Sequence, residues 1–473
     1  MDGFVGRDRE LDALDRMLAR VAGGSRGGRP GRALLVRGRR RVGKSRLVEE
    51  FAARAAVPHL YFTASAQPSL AADLRLFVDA ARASDLPGAA TFAGQQPVTW
   101  DAALHLLAHT LPRDRTSVVV LDEMPYLIAN DEGFEGTLHK LFDREFARLP
   151  VLLICIGSDL AMMEGLNDYG RPFHQRATEM VVPPLNPADV AGMLDLPAAD
   201  AFDAYLVSGG LPLILEDWPS GARVMDYLAD ALTDPTSALL VSGERSVAAE
   251  FPAESHPRRV LAAVGAGERT FARIARAAGD LPQASLARAL QILVRKRIVD
   301  VATPLSTRRS RESRYSVADP HLRFWLPFLG PHLAEIERGR GDLVLARIHA
   351  SWRAWRGRAV EPVVRESLRR LPQQLPTGTQ VIGGYWTRSN HPEVDIVGAD
   401  REPVAEAVTL IGSIKWLEDR PFDSRDLATL ARDREQVPGD TADTDMLVVT
   451  RTGATVGGVR VLTPDDLLAA WPR

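Results

Sequence analysis

The residues with the clearest chemical potential form a glycine-rich segment near the start of the chain. Gly38-Arg-Arg-Arg-Val-Gly-Lys-Ser45 has the form G-x-x-x-x-G-K-S/T and follows the apolar run Ala33–Val36. Glycines let backbone N–H groups wrap a polyphosphate, the Lys44 ammonium reaches its outer phosphates, and the Ser45 hydroxyl is a ligand for Mg²⁺. The segment therefore predicts a binding site for ATP and Mg²⁺. The residues assigned to the nucleotide here are Gly38, Arg39, Arg40, Arg41, Val42, Gly43, Lys44, Ser45 and Arg46.

Two acidic residues end a second apolar run, Val118-Val-Val-Leu-Asp-Glu123. Four apolar residues followed by acids are typical of a buried parallel strand whose carboxyl end faces a ligand. Asp122, together with Ser45, is predicted to hold Mg²⁺, and Glu123 to polarise the water that attacks the γ-phosphate. A charged strand end without function has the same composition, but the complete phosphate-binding motif upstream favours ATP hydrolysis. Lys44, Asp122 and Glu123 are therefore predicted to be catalytic.

The composition excludes several classes of protein. The chain has 473 residues, enough for about three domains, and its 45% hydrophobic and 25% charged residues do not suit a disordered or fibrous protein. Cys155 is the only cysteine, which excludes an internal disulfide and a cysteine-cluster metal site. No apolar run approaches the roughly 18 residues that cross a bilayer, and Met1-Asp2-Gly3-Phe4 does not resemble a secretory signal. We expect a cytoplasmic protein that does not bind membranes.

The order of apolar runs and helical patterns predicts the architecture of the N-terminal part. Strands are expected at Ala33–Val36, Val118–Leu121 and Val151–Ile156, with helical patterns between them. Such alternation indicates a parallel sheet that is covered by helices on both faces. From Pro187 to Asp234 the pattern is helical throughout, which predicts a small helical lid.

The middle of the chain is locally basic. Residues 258–314 contain 13 arginine and lysine residues but only four acidic ones. The segment reads as three helices, the third at Gln283–Lys296, followed by two short strands around a basic turn, which is the order of a winged helix-turn-helix. Its third helix would enter the major groove, so duplex DNA is the expected partner. The alternative is a winged helix that only packs against the ATPase.

Three segments in addition to the phosphate-binding motif resemble the archaeal-type ATPases of the STAND class within the AAA+ superfamily. They are Phe4-Val-Gly-Arg-Asp-Arg-Glu-Leu11, Asp122-Glu-Met-Pro-Tyr-Leu127 and Gly157-Ser-Asp-Leu-Ala-Met-Met163. The resemblance covers roughly residues 1–235. It implies that Val5, Gly6 and Arg7 contact the nucleotide base. It also implies that Ser158, the polar residue after the third strand, senses the γ-phosphate.

The same resemblance implies further contacts to the nucleotide. Pro212, in Gly209-Gly-Leu-Pro212, corresponds to the G-x-P motif in the lid of this family. An arginine often completes such a site by neutralising charge on the transferred phosphoryl group, and Arg171 and Arg176 lie where the family has basic residues. Each of these two arginines is either a catalytic group or a surface charge.

Many members of this family end in a domain related to restriction endonucleases. Their site uses an acid on a helix, an acid at the start of a strand, and an acid-x-lysine pair on the next strand. By resemblance, these places are taken by Glu361, Asp395, Ser413 and Lys415. The chain departs from the pattern at Ser413, where an acid is expected, because a hydroxyl cannot supply the missing negative charge to a divalent metal.

Two interpretations of the C-terminal domain stay open. The missing ligand favours a retained fold that serves binding or assembly. A working metal-dependent nuclease would need another carboxylate, and Glu406 could supply one only if a β-bulge turned it to the face of Ser413.

The predicted fold class is α/β: a P-loop NTPase core, a helical lid, a winged helix-turn-helix and a C-terminal α/β restriction-endonuclease-like domain. The predicted function is a STAND-type switch that binds and hydrolyses ATP and contacts DNA. The alternatives are an ATP-gated nuclease and an ATP-responsive transcription regulator, and assembly into a homo-oligomer is left open. The predicted domains are 1–185 (ATPase core), 186–250 (lid), 251–330 (winged helix), 331–356 (helical linker) and 357–473 (endonuclease-like domain).

Overall fold

The computed structural model describes residues 4–24, 30–66, 69–158, 160–166, 171 and 176–472. The chain divides into two compact units, residues 1–184 and 185–473. None of the helices in the described ranges is both long and apolar enough to cross a membrane.

The first unit is a parallel sheet with helices around it. The strands are β1 (Arg32–Arg37), β2 (His59–Thr63), β3 (Ser117–Asp122), β4 (Val151–Gly157) and β5 (Ala177–Val181), and they are arranged in the order β2-β3-β4-β1-β5. The helices are α1 (Asp8–Ala22), α2 (Lys44–Ala55), α3 (Leu70–Ala83), α4 (Trp100–Thr110), α5 (Met124–Asn130), α6 (Phe134–Arg144) and α7 (Leu160–Gly165), with short 3₁₀ turns at Ala89–Phe92 and Phe146–Arg148. The predicted parallel α/β core is confirmed.

Burial explains which strands the sequence predicted. Every residue of β3 and β4 is buried, because these central strands have helices on both faces, and they therefore read as continuous apolar runs. The edge strands β2 and β5 mix buried and exposed residues and were not predicted. Ser158 consequently follows the fourth strand of the chain, and its assignment to the third strand was wrong. The parallel register aligns Val36 with Ile156 and Leu121 with Cys155, so the carboxyl ends of β1, β3 and β4 meet at one edge.

The second unit begins with helices and ends with a mixed sheet. Its helices are α8 (Pro187–Leu194), α9 (Ala198–Ser208), α10 (Pro212–Glu216), α11 (Val224–Ala231), α12 (Ala238–Glu250), α13 (His256–Gly265), α14 (Phe271–Ala277), α15 (Gln283–Arg295), α16 (Pro320–Phe328), α17 (Leu333–Glu337), α18 (Gly341–Arg369), α19 (Ser424–Arg434) and α20 (Pro464–Leu468), with 3₁₀ turns at Gly330–His332 and Pro372–Gln374. Its strands are β6 (Val299–Ala302), β7 (Arg314–Val317), β8 (Val381–Trp386), β9 (Glu393–Ala399), β10 (Val408–Lys415), β11 (Asp445–Thr450) and β12 (Arg460–Leu462).

Helices α13, α14 and α15 and the antiparallel pair β6–β7 follow one another in the predicted order. They share a core that includes Leu286, Leu290 and Leu293 on the inner face of α15. The C-terminal sheet has the order β12-β11-β10-β9-β8, in which β8, β9 and β10 are antiparallel and β10, β11 and β12 are parallel. Helix α18 runs without interruption through residue 357, where the last domain was predicted to begin.

A buried group of charges joins helix α9 to the rest of the second unit. Asp203 on α9 accepts hydrogen bonds from Arg356 of α18 at 2.9 Å and from the indole of Trp416 at 3.0 Å. Arg451, which follows β11, lies 3.0 Å from the same carboxylate. The side chains of Asp203, Arg356 and Arg451 are all largely shielded from solvent, so each charge depends on the others for its stabilisation.

Candidate nucleotide-binding site

The loop between β1 and α2 has the backbone geometry of a phosphate cradle. Residues 38–43 join the end of β1 to Lys44, the first residue of α2. Arg41 and Gly43 have left-handed φ angles of 66° and 84°, which turn successive N–H groups toward the inside of the loop. A Cβ at Gly38 would lie 2.4 Å from the carbonyl oxygen of Val182, so this position requires glycine. The loop therefore offers backbone donors at the N-terminus of a helix, where anions bind.

The Lys44 ammonium lies across this loop. Its Nζ donates hydrogen bonds to the carbonyl oxygens of Gly38 and Arg39, both at 2.9 Å, and the side chain is buried. Burial lowers the pKa of Lys44 from its usual 10.5 to about 8, while the negative charges of Glu123 and Asp122 oppose this shift. A polyphosphate in the loop would give the ammonium stronger partners than two carbonyl groups. Of the other predicted loop residues, Val42 is buried, Arg39 and Arg41 are half-buried, and Arg40 and Arg46 are exposed.

A tyrosine that the sequence did not reveal connects the two predicted Mg²⁺ ligands. The Tyr61 hydroxyl, on β2, donates to Asp122 Oδ2 at 3.0 Å, and the Ser45 side chain lies near the same hydroxyl. Burial, together with the charge of Asp122, raises the pKa of Tyr61, so the hydroxyl keeps its proton for this bond. The run His59-Leu-Tyr-Phe-Thr63 was the available signal, because a strand there would continue the parallel sheet next to β3.

The predicted catalytic acids lie at the carboxyl end of β3. Asp122 is buried, and its Oδ1 accepts a hydrogen bond from the Glu123 backbone N–H at 2.8 Å. Glu123 has a left-handed φ of 55°, and its Oε1 accepts a hydrogen bond from the Ser158 hydroxyl at 3.2 Å. The structure thus brings together Lys44, Ser45, Asp122, Glu123 and Ser158 from three separate segments. The Ser45 hydroxyl and the Asp122 carboxylate are oxygen ligands that suit Mg²⁺.

The segment before α1 is attached to the phosphate loop. Arg7 is buried, has a left-handed φ of 70°, and donates from Nη2 to the Val42 carbonyl oxygen at 2.9 Å. Gly6 also has a positive φ, of 72°, and Val5 is partly exposed. These three residues therefore lie next to the loop, and their contact with a nucleotide base stays a prediction.

The two candidate arginines pair with acids of helix α6. Arg171 contacts Glu135 Oε2 at 2.6 Å, and Arg176 contacts Asp143 Oδ2 at 3.0 Å. Most of their neighbours in the predicted segment, together with Asp159 of the strand-end motif, lie outside the described residues. Their role in catalysis stays a prediction.

Pro212 is the first residue of α10 in the second unit. It follows Gly209 and Gly210, which have φ angles of 63° and 67°. A Cβ at Gly210 would lie 1.9 Å from the Leu185 carbonyl oxygen, so the backbone of this motif needs glycine. The role of Pro212 in the lid also stays a prediction.

Three of the four predicted nuclease-like residues converge. Asp395 Oδ2 accepts hydrogen bonds from the Ser413 hydroxyl at 3.0 Å and from the Ile414 N–H at 2.8 Å. Arg365 donates to the Asp395 carbonyl oxygen at 2.7 Å and to Glu361 Oε2 at 3.1 Å. Burial raises the pKa of both Glu361 and Asp395. Arg365 places a positive charge beside both acids, and the Lys415 ammonium also acts on Asp395.

Lys415 and Glu406 have other partners. Lys415 lies 3.7 Å from Asp426, a residue of α19 that was not predicted and that Arg420 also binds at 2.6 Å. Glu406 is exposed, precedes β10 and pairs with Arg401. The register irregularity of β10 lies beyond it, between Val408 and Leu410, so Glu406 does not join the cluster around Asp395. The cluster offers a divalent metal two carboxylates, and each already accepts hydrogen bonds: Ser413 and Ile414 donate to Asp395 Oδ2, and Arg365 donates to Glu361 Oε2. This arrangement disfavours a metal there.

Comparison with known sequences finds one match in the N-terminal part of the chain and another in the C-terminal part. A family model described as "AAA ATPase domain" matches residues 3–154, the part that carries the phosphate loop and the acidic end of β3. A second, described as "Archaea bacterial proteins of unknown function", matches residues 325–427. The uncharacterized protein MJECL04 of Methanocaldococcus jannaschii is 24% identical over 438 residues, which cover 91% of this chain and 90% of that protein.

Three of the solved structures that match this chain come from archaea. The Walker-type ATPase PABY2304 of Pyrococcus abyssi has 18% identity and a TM-score of 0.47, and the match covers 68% of this chain and 96% of that one. The ORC2 protein of Aeropyrum pernix, solved as ADPNP–ADP complexes, has 15% identity and a TM-score of 0.46, with 74% and 98% covered. The ORC1 protein of the same organism, in complex with DNA, has 18% identity and a TM-score of 0.33, with 71% and 95% covered.

The depressed pKa of Lys44 predicts how ATP affinity depends on pH. Phosphate favours the charged ammonium, so binding requires proton uptake once the pH exceeds the pKa of about 8 in the free protein. We expect the Kd for ATP to be constant near pH 7 and to rise above pH 8, approaching about tenfold per pH unit. Titration with a fluorescent ATP analogue from pH 7 to 9.5 measures this. A Lys44→Arg control stays charged throughout, so its weaker affinity should not change with pH, and a flat wild-type curve would contradict the assignment.

Proposed function

We propose that this chain, whose residues 3–154 match an AAA ATPase domain and whose residues 325–427 match a domain of archaeal and bacterial proteins of unknown function, is a STAND-type switch driven by ATP. The observation that carries this proposal is the convergence of Lys44, Ser45, Asp122, Glu123 and Ser158 at one edge of the sheet. Binding and hydrolysis of ATP there would set the conformation of the second unit, which contacts duplex DNA.

Each residue of the site has a distinct task in this mechanism. Backbone N–H groups of the loop and the Lys44 ammonium hold the β- and γ-phosphates. Ser45 and Asp122 would hold Mg²⁺, which supplies positive charge to the phosphate oxygens during transfer. Glu123 orients the attacking water and accepts its proton as the bond between the γ-phosphorus and the ADP oxygen breaks. Tyr61 is a positioning residue, because its hydroxyl fixes Ser45 and Asp122 relative to each other.

Ser158 gives the site a means of detecting the γ-phosphate. Its hydroxyl has one proton, which it donates to Glu123 Oε1 in the free protein. A γ-phosphate oxygen within reach competes for that proton, and Glu123 is then released to act on water. Loss of the γ-phosphate after hydrolysis returns Ser158 to Glu123. This exchange is the local event that a switch needs in order to distinguish ATP from ADP.

Two substitutions separate binding from hydrolysis. Lys44→Ala removes the phosphate-binding ammonium and should abolish measurable ATP binding in calorimetry. Glu123→Gln keeps the shape of the side chain but cannot accept a proton, so ATP binding should persist while turnover falls by about 100-fold or more.

Glu132→Gln, at an exposed glutamate after α5, is the matched control and should keep wild-type turnover. Wild-type ATP affinity in the Lys44 variant, or normal phosphate release by the Glu123 variant, would remove that residue from its proposed role.

The position of Tyr61 predicts a specific effect on Mg²⁺ use. Tyr61→Phe keeps the ring but removes the hydroxyl that joins Ser45 and Asp122. ATP should still bind, whereas the Mg²⁺ concentration for half-maximal ATPase activity should rise by about tenfold.

The readout is a Mg²⁺ titration of phosphate release at saturating ATP. Tyr385→Phe, at a half-buried tyrosine of β8, is the control and should leave the Mg²⁺ curve unchanged. If Tyr61→Phe lowers the maximal rate without shifting the Mg²⁺ midpoint, its hydroxyl does not position the ligands.

Contact with DNA is assigned to helix α15 and not to the strands β6 and β7. Arg314 of β7 contacts Glu393 at 2.5 Å and lies 4.5 Å from the Trp386 ring, which ties this strand to the C-terminal sheet. Lys296 lies over the Phe251 ring at 5.8 Å. Arg288 and Arg295, in contrast, are exposed on α15 opposite its buried leucines. This face of the third helix supports binding to phosphates or bases of duplex DNA.

The double variant Arg288→Ala/Arg295→Ala tests this contact. It should weaken binding to a duplex by about tenfold or more and reduce the slope of log affinity against log salt by about 2, if both arginines neutralise phosphates. Fluorescence anisotropy with labelled duplex DNA at several salt concentrations measures both quantities.

Arg75→Ala/Arg82→Ala, which removes two exposed arginines from α3, has the same change in net charge and should retain wild-type affinity. Equal losses in both double variants would indicate a general charge effect, and no loss in either would leave the three-helix region as a packing module.

The C-terminal domain completes the switch as a binding or assembly module. Its acids Glu361 and Asp395 are already bound by Arg365, Ser413 and Ile414, which leaves no arrangement suited to the metal that a nuclease of this type needs. The hydrogen bonds of this cluster stabilise the sheet and α18 instead. This geometry favours a switch over an ATP-gated nuclease.

A further inference from the structure

Two histidines and a glutamate form a second group of metal-ligating side chains in the first unit. His105 and His109 are one turn apart on α4, so both side chains project from the same face of the helix. Glu145 directly follows α6. The two helices are held together independently of these residues, because the Trp100 and Phe134 rings pack with centroids 5.1 Å apart and Lys140 pairs with Asp101. The group therefore sits on a rigid base.

The hydrogen bonds of the two imidazoles fix the nitrogen that each can offer. His109 Nδ1 lies 2.9 Å from the His105 carbonyl oxygen, which can only accept, so Nδ1 of the neutral ring carries the proton. His105 Nδ1 lies 2.6 Å from Glu145 Oε1, so an ion that takes the place of the proton between these two atoms can bind both. His109, in its neutral form, then offers the lone pair on Nε2. Orientation of an imidazole by a carbonyl or carboxylate on its other nitrogen is the usual support of a metal-binding histidine.

The spacing of the three side chains suits a single ion. One ligand atom from each of His105, His109 and Glu145 can be chosen so that all three lie within 4.8 Å of one another. Small changes in side-chain rotation bring such atoms to the roughly 2.0–2.2 Å from a common centre that Zn²⁺ requires. Both histidines are exposed, so water can fill the remaining positions.

We propose that His105, His109 and Glu145 bind a divalent transition metal of the Zn²⁺ or Ni²⁺ type. Two imidazoles and one carboxylate select for these ions, whereas Mg²⁺ prefers oxygen ligands alone and belongs to the Ser45–Asp122 site. The bound ion joins the end of α6 to α4. Because α6 also carries Glu135 and Asp143, the partners of Arg171 and Arg176, the ion stabilises the helix that holds both candidate arginines.

Isothermal titration of the full chain with NiCl₂, without nucleotide, tests this site. We expect one Ni²⁺ per chain, and no comparable binding when MgCl₂ replaces NiCl₂ at the same concentration. His105→Ala and His109→Ala should each raise the dissociation constant by about tenfold or more, because each leaves only two protein ligands. Circular dichroism of each variant confirms that α4 is still folded.

Two controls separate this site from other sources of binding. His349→Ala removes an exposed helical histidine of the second unit and should bind Ni²⁺ as the wild type does. Lys44→Ala should also keep the Ni²⁺ site, since the phosphate loop contributes no ligand to it. Absence of one-to-one binding in the wild type, or an unchanged isotherm in folded His105→Ala and His109→Ala, would overturn the proposal.

Discussion

Burial of a single ammonium organises the first unit. Lys44 has lost much of its hydration, and its charge is stabilised by loop carbonyl groups and by the acids at the end of β3. These groups lie within reach only because the parallel register brings the ends of β1, β3 and β4 to one edge. The tight turn of the loop at Gly38 and Gly43 also brings its carbonyl groups close to the Lys44 ammonium. In a different strand register the Lys44 ammonium would be a buried charge without partners, which is strongly destabilising.

The sequence predicted those parts of the fold and site that depend on local pattern. Central strands are apolar throughout, and the phosphate loop has fixed spacing, so both were read correctly. Tyr61 was not predicted as a site residue, because it lies on an edge strand with mixed burial and its proposed role depends on two residues that are distant in sequence. Arg365 and Asp426 escaped for a related reason: an arginine on a helix and an acid on another give no sign of their partner until the chain is folded.

The C-terminal cluster shows how one substitution changes the electrostatics of a whole group. With Ser413 in place of an acid, the site has one negative charge fewer, and its hydroxyl donates a proton toward Asp395 where a carboxylate would have repelled it. The Arg365 guanidinium then supplies positive charge next to the acids Glu361 and Asp395, where a divalent metal ion would otherwise supply it. Each buried carboxylate therefore has hydrogen-bond donors from the chain itself.

Asp203 links three sequence-distant parts of the second unit through one carboxylate. This carboxylate belongs to α9, and it pairs with Arg356 of α18 and with Arg451 in the turn after β11. Separating these buried ions would cost several kcal/mol, about 3–5 for a broken buried pair. Helix α9 and the C-terminal sheet are therefore cross-linked by buried charges, so a displacement of one without the other would have to break these ion pairs.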